Sequence, residues 1–158
     1  MTPTNDRDKK TSARRLLLLA DHLDTLPKKR FYYGSWVGDD WKGKADLSCG
    51  TTACALGWAT TIPSFRRLGL RMTSRRPPSY ADLVAGADLD GYVTAPGCSR
   101  SLSAAQDIFK LSYIEAEFLF IPGGKLDSFP AIQAAPANGA TAKQVARHIR
   151  RFVARFRN

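Results

Sequence analysis

Cys49 is the residue of this chain best placed for covalent chemistry. It precedes a segment typical of a helix start, where the helix dipole and unpaired amide groups favour the reactive thiolate. A cysteine hydrolase or transferase would also need a histidine base and an orienting carboxylate, for which the chain offers His148, His22, Asp21 and Asp24. Free cysteines are more often small buried apolar residues, which is the interpretation favoured for Cys54. The two cysteines lie five positions apart and no second pair follows, so we expect no metal and no other cofactor.

The turn formed by Gly50, Thr51 and Thr52 suits a different chemistry, the binding of an anion. A glycine followed by hydroxyl residues at a helix start offers N–H and O–H donors, and the helix dipole adds to the attraction. Other residues near this turn could contact a phosphate or stack on a base, namely Lys42, Lys44, Trp36, Trp41, Tyr33, Arg66 and Arg67. The pattern therefore indicates a nucleotide-like ligand, although a capped helix beside an aromatic core explains the same residues. No Walker A motif is present.

The composition favours an anionic partner and argues against a membrane span. The chain has 158 residues, with 24 Lys and Arg against 14 Asp and Glu, which gives a net charge of +10. The longest apolar run, residues 16–20, is much shorter than the ~18–20 residues that cross a bilayer. The odd number of cysteines and the charged first ten residues predict a cytoplasmic protein.

The last predicted helix is strongly amphipathic. Apolar residues share one face (Val145, Ile149, Phe152, Val153 and Phe156), and basic residues lie roughly opposite (Lys143, Arg147, Arg150, Arg151 and Arg157). This basic face either contacts phosphates or is the solvated surface of a packed helix. His148 borders the two faces, which predicts a surface or half-buried position. The preceding helix, YIEAEFLF, carries two glutamates and cannot read DNA bases, so any nucleic-acid binding is expected to be weak and insensitive to base sequence.

The sequence predicts a mainly α, single compact domain of about five helices, which would position these candidate residues. A small β element in the middle of the chain is compatible with the sequence. We expect residues 1–10 to be a flexible lead and residues 11–158 to form the domain. The predicted helices begin at Thr11, at Thr51 or Thr52, and at the capping-box residues Ser103, Ser112 and Thr141. The apolar stripe of the first helix consists of Leu16, Leu19, Ala20, Leu23 and Leu26. Residues 64–100 are compatible with short strands or with an ordered loop.

Several segments together resemble a family of small phage, prophage and bacterial proteins. They are the leucine-rich RRLLLLADHLDTLP, the aromatic FYYGSW, the core CGTTACALGWATTIPSF, the pair AAQDIFKLSYIEAEFLF and the final QVARHIRRFV. The core positions that match are Cys49, Gly50, Thr51, Cys54, Gly57 and Trp58. The family has no settled biochemical role, so the resemblance implies a phage origin and the cytoplasm of a bacterial host. Its pattern has no histidine at the position of His148, which weighs against a Cys–His pair.

Three functional hypotheses follow. The leading one is a basic phage-type binding protein for a small anionic ligand, a nucleotide or nucleotide-derived defence signal, acting by sequestration. The alternative is a nucleic-acid-associated protein without sequence preference. The third is a cysteine-dependent hydrolase or transferase using Cys49 and His148.

Overall fold

The computed structural model describes residues 5–31, 54–72, 93–94, 101–124, 126 and 139–158. The fold is mainly helical and compact, which confirms the predicted class. The helices are α1 (Asp6–Asp24), a 3-10 turn (Lys28–Arg30), α2 (Ala55–Ala59), α3 (Pro63–Arg67), α4 (Ser101–Phe109), α5 (Tyr113–Phe120) and α6 (Ala142–Phe156). Two short strands, β1 (Arg71–Met72) and β2 (Val93–Thr94), pair antiparallel, with Arg71 opposite Thr94.

Helix α1 begins earlier than predicted. The Asn5 side chain accepts a hydrogen bond from the Asp8 amide at 2.8 Å, and Asp6 and Asp8 place negative charge in the first turn, where the helix dipole favours it. Residues 6–10, which the sequence analysis placed before the first helix, therefore belong to α1. The predicted apolar stripe is confirmed, since Leu16, Leu19, Ala20 and Leu23 are fully buried and Leu26 is partly buried.

Helix α6 packs along α1, and this is the most extensive contact between two described elements. The two helices run antiparallel, because Arg157 contacts Ser12 whereas Arg150 contacts Asp21 and Asp24. The capping box of Thr141 is confirmed: its hydroxyl accepts from the Gln144 amide at 3.2 Å, and the Gln144 side chain accepts in return at 2.8 Å.

Helices α4 and α5 form the second part of the core. The Ser112 capping box is confirmed, with distances of 2.8 and 3.2 Å to Glu115. Helix α4 starts at Ser101, so the box predicted at Ser103 lies inside the helix and does not begin it. Phe109 packs edge-on against Phe65 at 5.2 Å between ring centroids, which joins α4 to α3.

Helix α2 is shorter than the predicted helix from residue 51 or 52 to residue 61. It begins at Ala55 after Cys54, which makes no side-chain capping hydrogen bond. Cys54, Ala55, Trp58 and Ile62 are buried together, as their common face predicted. No described helix has both the length and the apolar character needed to cross a membrane.

Candidate ligand-binding cleft

A cleft of about 330 Å³ lies between α1 and α3. It is lined by Arg14, Arg15 and Leu18 of α1 and by Ser64, Phe65, Arg67 and Leu68 of α3 and its C-cap. Phe65 is almost fully buried, whereas Leu18 and Leu68 are each 41% exposed. The cleft therefore combines apolar surface with three guanidinium groups.

A tight turn at Gly69 ends α3, the helix that forms one wall of this cleft. Gly69 has a φ of 92°, a left-handed conformation that favours glycine. The Gly69 amide donates to the Arg66 carbonyl at 3.0 Å and the Leu70 amide donates to the Phe65 carbonyl at 3.1 Å, which together form a Schellman motif. This turn ends the helix at Arg67, with Leu68 as its C-cap, and directs Leu70 into the core.

The three arginines differ in exposure but share a lack of carboxylate partners. Arg14 and Arg67 are exposed and Arg15 is half-buried. Arg15 donates to the Ile108 carbonyl near the end of α4. Burial lowers the pKa of Arg15, the charge of Arg14 lowers it further, and Asp107 partly opposes both effects. Within the described part of the chain, none of the three forms an ion pair, so the cleft concentrates positive charge.

Ser64 also lines the cleft. Its Oγ atom is buried and has no hydrogen-bond partner among the described residues. A buried polar atom without a partner is unfavourable, and a hydroxyl can both donate and accept. Because this atom has almost no accessible surface, a ligand in the cleft would reach it only after the Ser64 side chain rotates.

Of the predicted ligand-binding residues, the structure places Arg67 in the cleft and Arg66 outside its lining. The Arg66 carbonyl instead accepts a hydrogen bond from the Arg71 guanidinium. The other predicted ligand-binding residues lie outside the described ranges, as does Cys49: they are Gly50, Thr51, Thr52, Lys42, Lys44, Trp36, Trp41 and Tyr33. The helix start predicted at Thr51 or Thr52 is wrong, because α2 begins at Ala55 and its first-turn residues are buried.

Sequence reasoning missed Arg14 and Arg15. The sequence feature that points to these two arginines is Leu18, which lies four residues after Arg14 and outside the buried stripe of α1. A leucine exposed beside two arginines indicates an apolar surface next to positive charge.

His148 is fully buried, so its predicted position at the surface or half-buried is wrong. Its Nε2 atom lies 3.1 Å from the Phe118 carbonyl, and the ring packs 4.5 Å from the Phe118 ring. Burial lowers the pKa of His148, the hydrogen bond to Phe118 opposes this, and the charge of Arg151 adds to it. The imidazole is held in the core by a backbone partner and has no contact with the cleft.

The other residues proposed for cysteine chemistry are also engaged elsewhere. His22 is half-buried, with Nε2 3.3 Å from the Thr61 hydroxyl, and burial lowers its pKa. Asp21 and Asp24 accept hydrogen bonds from Arg150 at 2.8 and 2.7 Å, and neither is a hydrogen-bond partner of His148, whose Nδ1 atom has no partner among the described residues. The described residues contain no cluster of three His, Cys, Asp or Glu side chains able to hold a metal.

Comparisons of the chain with protein-family models, curated proteins and solved structures find no match. The resemblance to phage and prophage proteins therefore stays a prediction.

Proposed function

We propose that the protein binds a small anionic ligand of the nucleotide class in the cleft between α1 and α3. The observation that carries the proposal is the meeting of Arg14, Arg15 and Arg67 with apolar surface, in a lining that includes no carboxylate among the described residues. Guanidinium groups bind phosphate through paired, charge-assisted hydrogen bonds. The repulsion between Arg14 and Arg15 is relieved when an anion lies between them.

The apolar residues of the cleft would contact the base of such a ligand. Leu18, Phe65 and Leu68 offer a surface on which a planar base can be shielded from water. The volume of about 330 Å³ lies at the lower end of the range for small-molecule sites. A mononucleotide therefore fits the proposal better than a longer oligonucleotide.

We further propose that the ligand is held and not turned over. Among the described residues, the lining consists of arginine, leucine, serine and phenylalanine, and none of these is a general base near neutral pH. The resemblance of the sequence to phage proteins implies a bacterial host. In such a host, this cleft would sequester a nucleotide-derived defence signal.

The expected affinity is moderate. Charge-assisted hydrogen bonds contribute about 1.5–3 kcal/mol each, and the loss of ligand freedom offsets a large part of their sum. We therefore expect dissociation constants on the order of 10–100 µM for a nucleoside monophosphate.

Calorimetry with AMP, cyclic AMP and inorganic triphosphate at matched ionic strength tests the site. Arg67→Ala should weaken AMP binding about tenfold, which corresponds to about 1.4 kcal/mol. Arg66→Ala removes the same charge from the same helix outside the cleft, and it should leave AMP binding unchanged. Leu68→Ser should weaken AMP but not triphosphate, because only AMP carries a base.

Two results would overturn the proposal. One is equal loss of AMP binding in Arg66→Ala and Arg67→Ala, which would mean that net charge alone attracts the ligand. The other is weak heats of the same size for all three anions that vanish as salt is added.

A further inference from the structure

The structure divides the basic residues of α6 into two groups. Arg150 is paired with Asp21 and Asp24 of α1. Arg157, directly after the helix, is buried against Ser12 and Glu115. The sequence placed both on the basic face of the helix, in contact with phosphates or with solvent. Arg157 is instead buried, and α1 and α5 supply the partners of the two arginines.

Four other cations of α6 stay in solvent, and we call them the α6 row: Lys143, Arg147, Arg151 and Arg155. All four are exposed, and none forms an ion pair or hydrogen bond with another described residue. Arg155 only lies over the ring of its neighbour Phe156, 6.0 Å from the centroid. Their charge is therefore free to act on an external anion.

The spacing of the α6 row gives it a regular geometry. Consecutive members are four residues apart, so each step rises about 6 Å and rotates about 40° around the helix axis. The row thus extends over about 18 Å, which equals roughly five base-pair steps of a duplex. The opposite face of the helix is anchored in the core by Val145, Ile149 and Phe152, so the cations are presented from a fixed support.

We infer that the α6 row docks on the sugar–phosphate backbone of a nucleic acid, at a surface separate from the cleft. Four cations on one side of a helix, with a rise of about 6 Å from each to the next, can contact successive charges of a phosphate backbone. Long basic side chains that contact phosphates fix position without reading bases, so the contact is independent of base sequence.

An anionic membrane, the other extended polyanion, fits the surface less well. Helices that bind membrane interfaces insert large apolar residues beside their cations. The exposed residues of α6 other than the row are Gln144, a polar residue, and Ala154, a small one. The large apolar residues Val145, Ile149 and Phe152 are buried in the core.

Fluorescence anisotropy with a short labelled duplex, in KCl from about 50 to 200 mM, tests this inference. The variant is Arg147→Gln with Arg151→Gln, and the control is Lys28→Gln with Lys29→Gln. The control removes the same charge from exposed positions of the 3-10 turn. For the α6 variant, the slope of log affinity against log salt should become shallower by about two, because each lost phosphate contact removes about 0.9. The control should retain the wild-type slope, and duplexes of different base sequence should bind alike.

Equal changes of slope in the variant and the control would overturn the inference, since net charge would then explain the binding. It would also be overturned if the α6 variant lost binding to phosphatidylserine vesicles while its binding to the duplex stayed intact. Thermal unfolding monitored by circular dichroism verifies that both variants fold. AMP binding in the cleft should be the same in both, which separates this test from that of the proposed function.

Discussion

Arg157 and Glu115 form a buried ion pair that connects the residue after α6 to the first turn of α5. Nη2 of Arg157 lies 2.8 Å from Oε2 of Glu115, and only 4% and 15% of the two side chains are exposed. Nε of Arg157 also donates to the Ser12 hydroxyl at 3.1 Å, and the guanidinium lies over the Phe152 ring at 4.9 Å. One residue thus ties together α1, α5 and α6.

Replacing Arg157 by alanine should strongly destabilise the fold. The substitution leaves the carboxylate of Glu115 largely buried without its cation, which typically costs about 3–5 kcal/mol. Urea unfolding measures the change. Arg155→Ala, two positions earlier and exposed, should lower the free energy of unfolding by no more than about 0.5 kcal/mol.

A double variant separates the ion pair from simple loss of packing. Arg157→Met combined with Glu115→Gln removes both charges, so its destabilisation should be smaller than the sum of the two single effects. If the destabilisation of the double variant equals the sum for Arg157→Met and Glu115→Gln alone, the two charges do not stabilise each other.

Arg150→Ala should have a much smaller effect, although Arg150 makes two short contacts with carboxylates. Hydrogen bonds to Asp21 and then to Asp24 raise the pKa of Arg150. All three side chains are more than a third exposed, and solvent screens such pairs to about 0–1 kcal/mol. Unfolding in low and high salt should show this small contribution shrinking as salt rises. A loss as large as that of Arg157→Ala would contradict this interpretation.

Stability should decrease as the pH falls through about 6.5, the ordinary pKa of histidine. Burial lowers the pKa of folded His148, so the unfolded chain binds the proton more readily and protonation favours unfolding. The stabilisation that comes from keeping His148 neutral in the folded state is complete above about pH 6.5 and is lost as the pH falls further. Its Nδ1 atom has no hydrogen-bond partner among the described residues, so an added proton there finds no acceptor.

The contribution of His148 is measured as a difference between pH profiles. Burial also lowers the pKa of His22, so the comparison uses a His22→Gln background. In that background, His148→Phe should flatten the dependence of unfolding free energy on pH, whatever its effect on absolute stability. Profiles of the same shape with and without His148 would rule it out as the titrating group.

Gly124→Ala should destabilise the turn after α5. A β-carbon there would lie 2.6 Å from the Glu117 carbonyl oxygen and 2.9 Å from the Phe118 Cα, both backbone atoms that cannot move aside. We expect a loss of about 1–3 kcal/mol. Gly139→Ala is the matched control, because a β-carbon there has no atom within 4 Å, and its stability should be equal or slightly higher.

The thiol of Cys54 should resist alkylation in the native protein, because it is 1% exposed at the start of α2. Cys49 is expected to react faster. Mass spectrometry of the protein after brief treatment with iodoacetamide identifies the labelled residue, and labelling in urea provides the control. Faster native labelling of Cys54 than of Cys49 would contradict the expected order.

The helices set by local signals could be predicted, and the long-range contacts could not. The capping boxes of Ser112 and Thr141 depend on residues three positions apart, so the sequence contains all of their partners. The partners of Arg157 are 42 and 145 positions away in sequence, which is why its basic side chain was placed on the solvent face. The cleft is equally non-local, because α1 and α3 supply its walls from separate parts of the chain.

The packing of α6 on α1 has a consequence for synthesis of the protein in the cell. Ser12 and Arg157 are 145 positions apart, so a ribosome delivers α1 long before the helix that covers it. Until then, Leu16, Leu19 and Leu23 lack the main surface that buries them in the native state. Contacts between distant parts of a chain also form slowly. The leucine stripe of α1 is therefore incompletely covered until α6 has been synthesised, and exposed apolar surface of this kind makes a partly folded chain prone to aggregation.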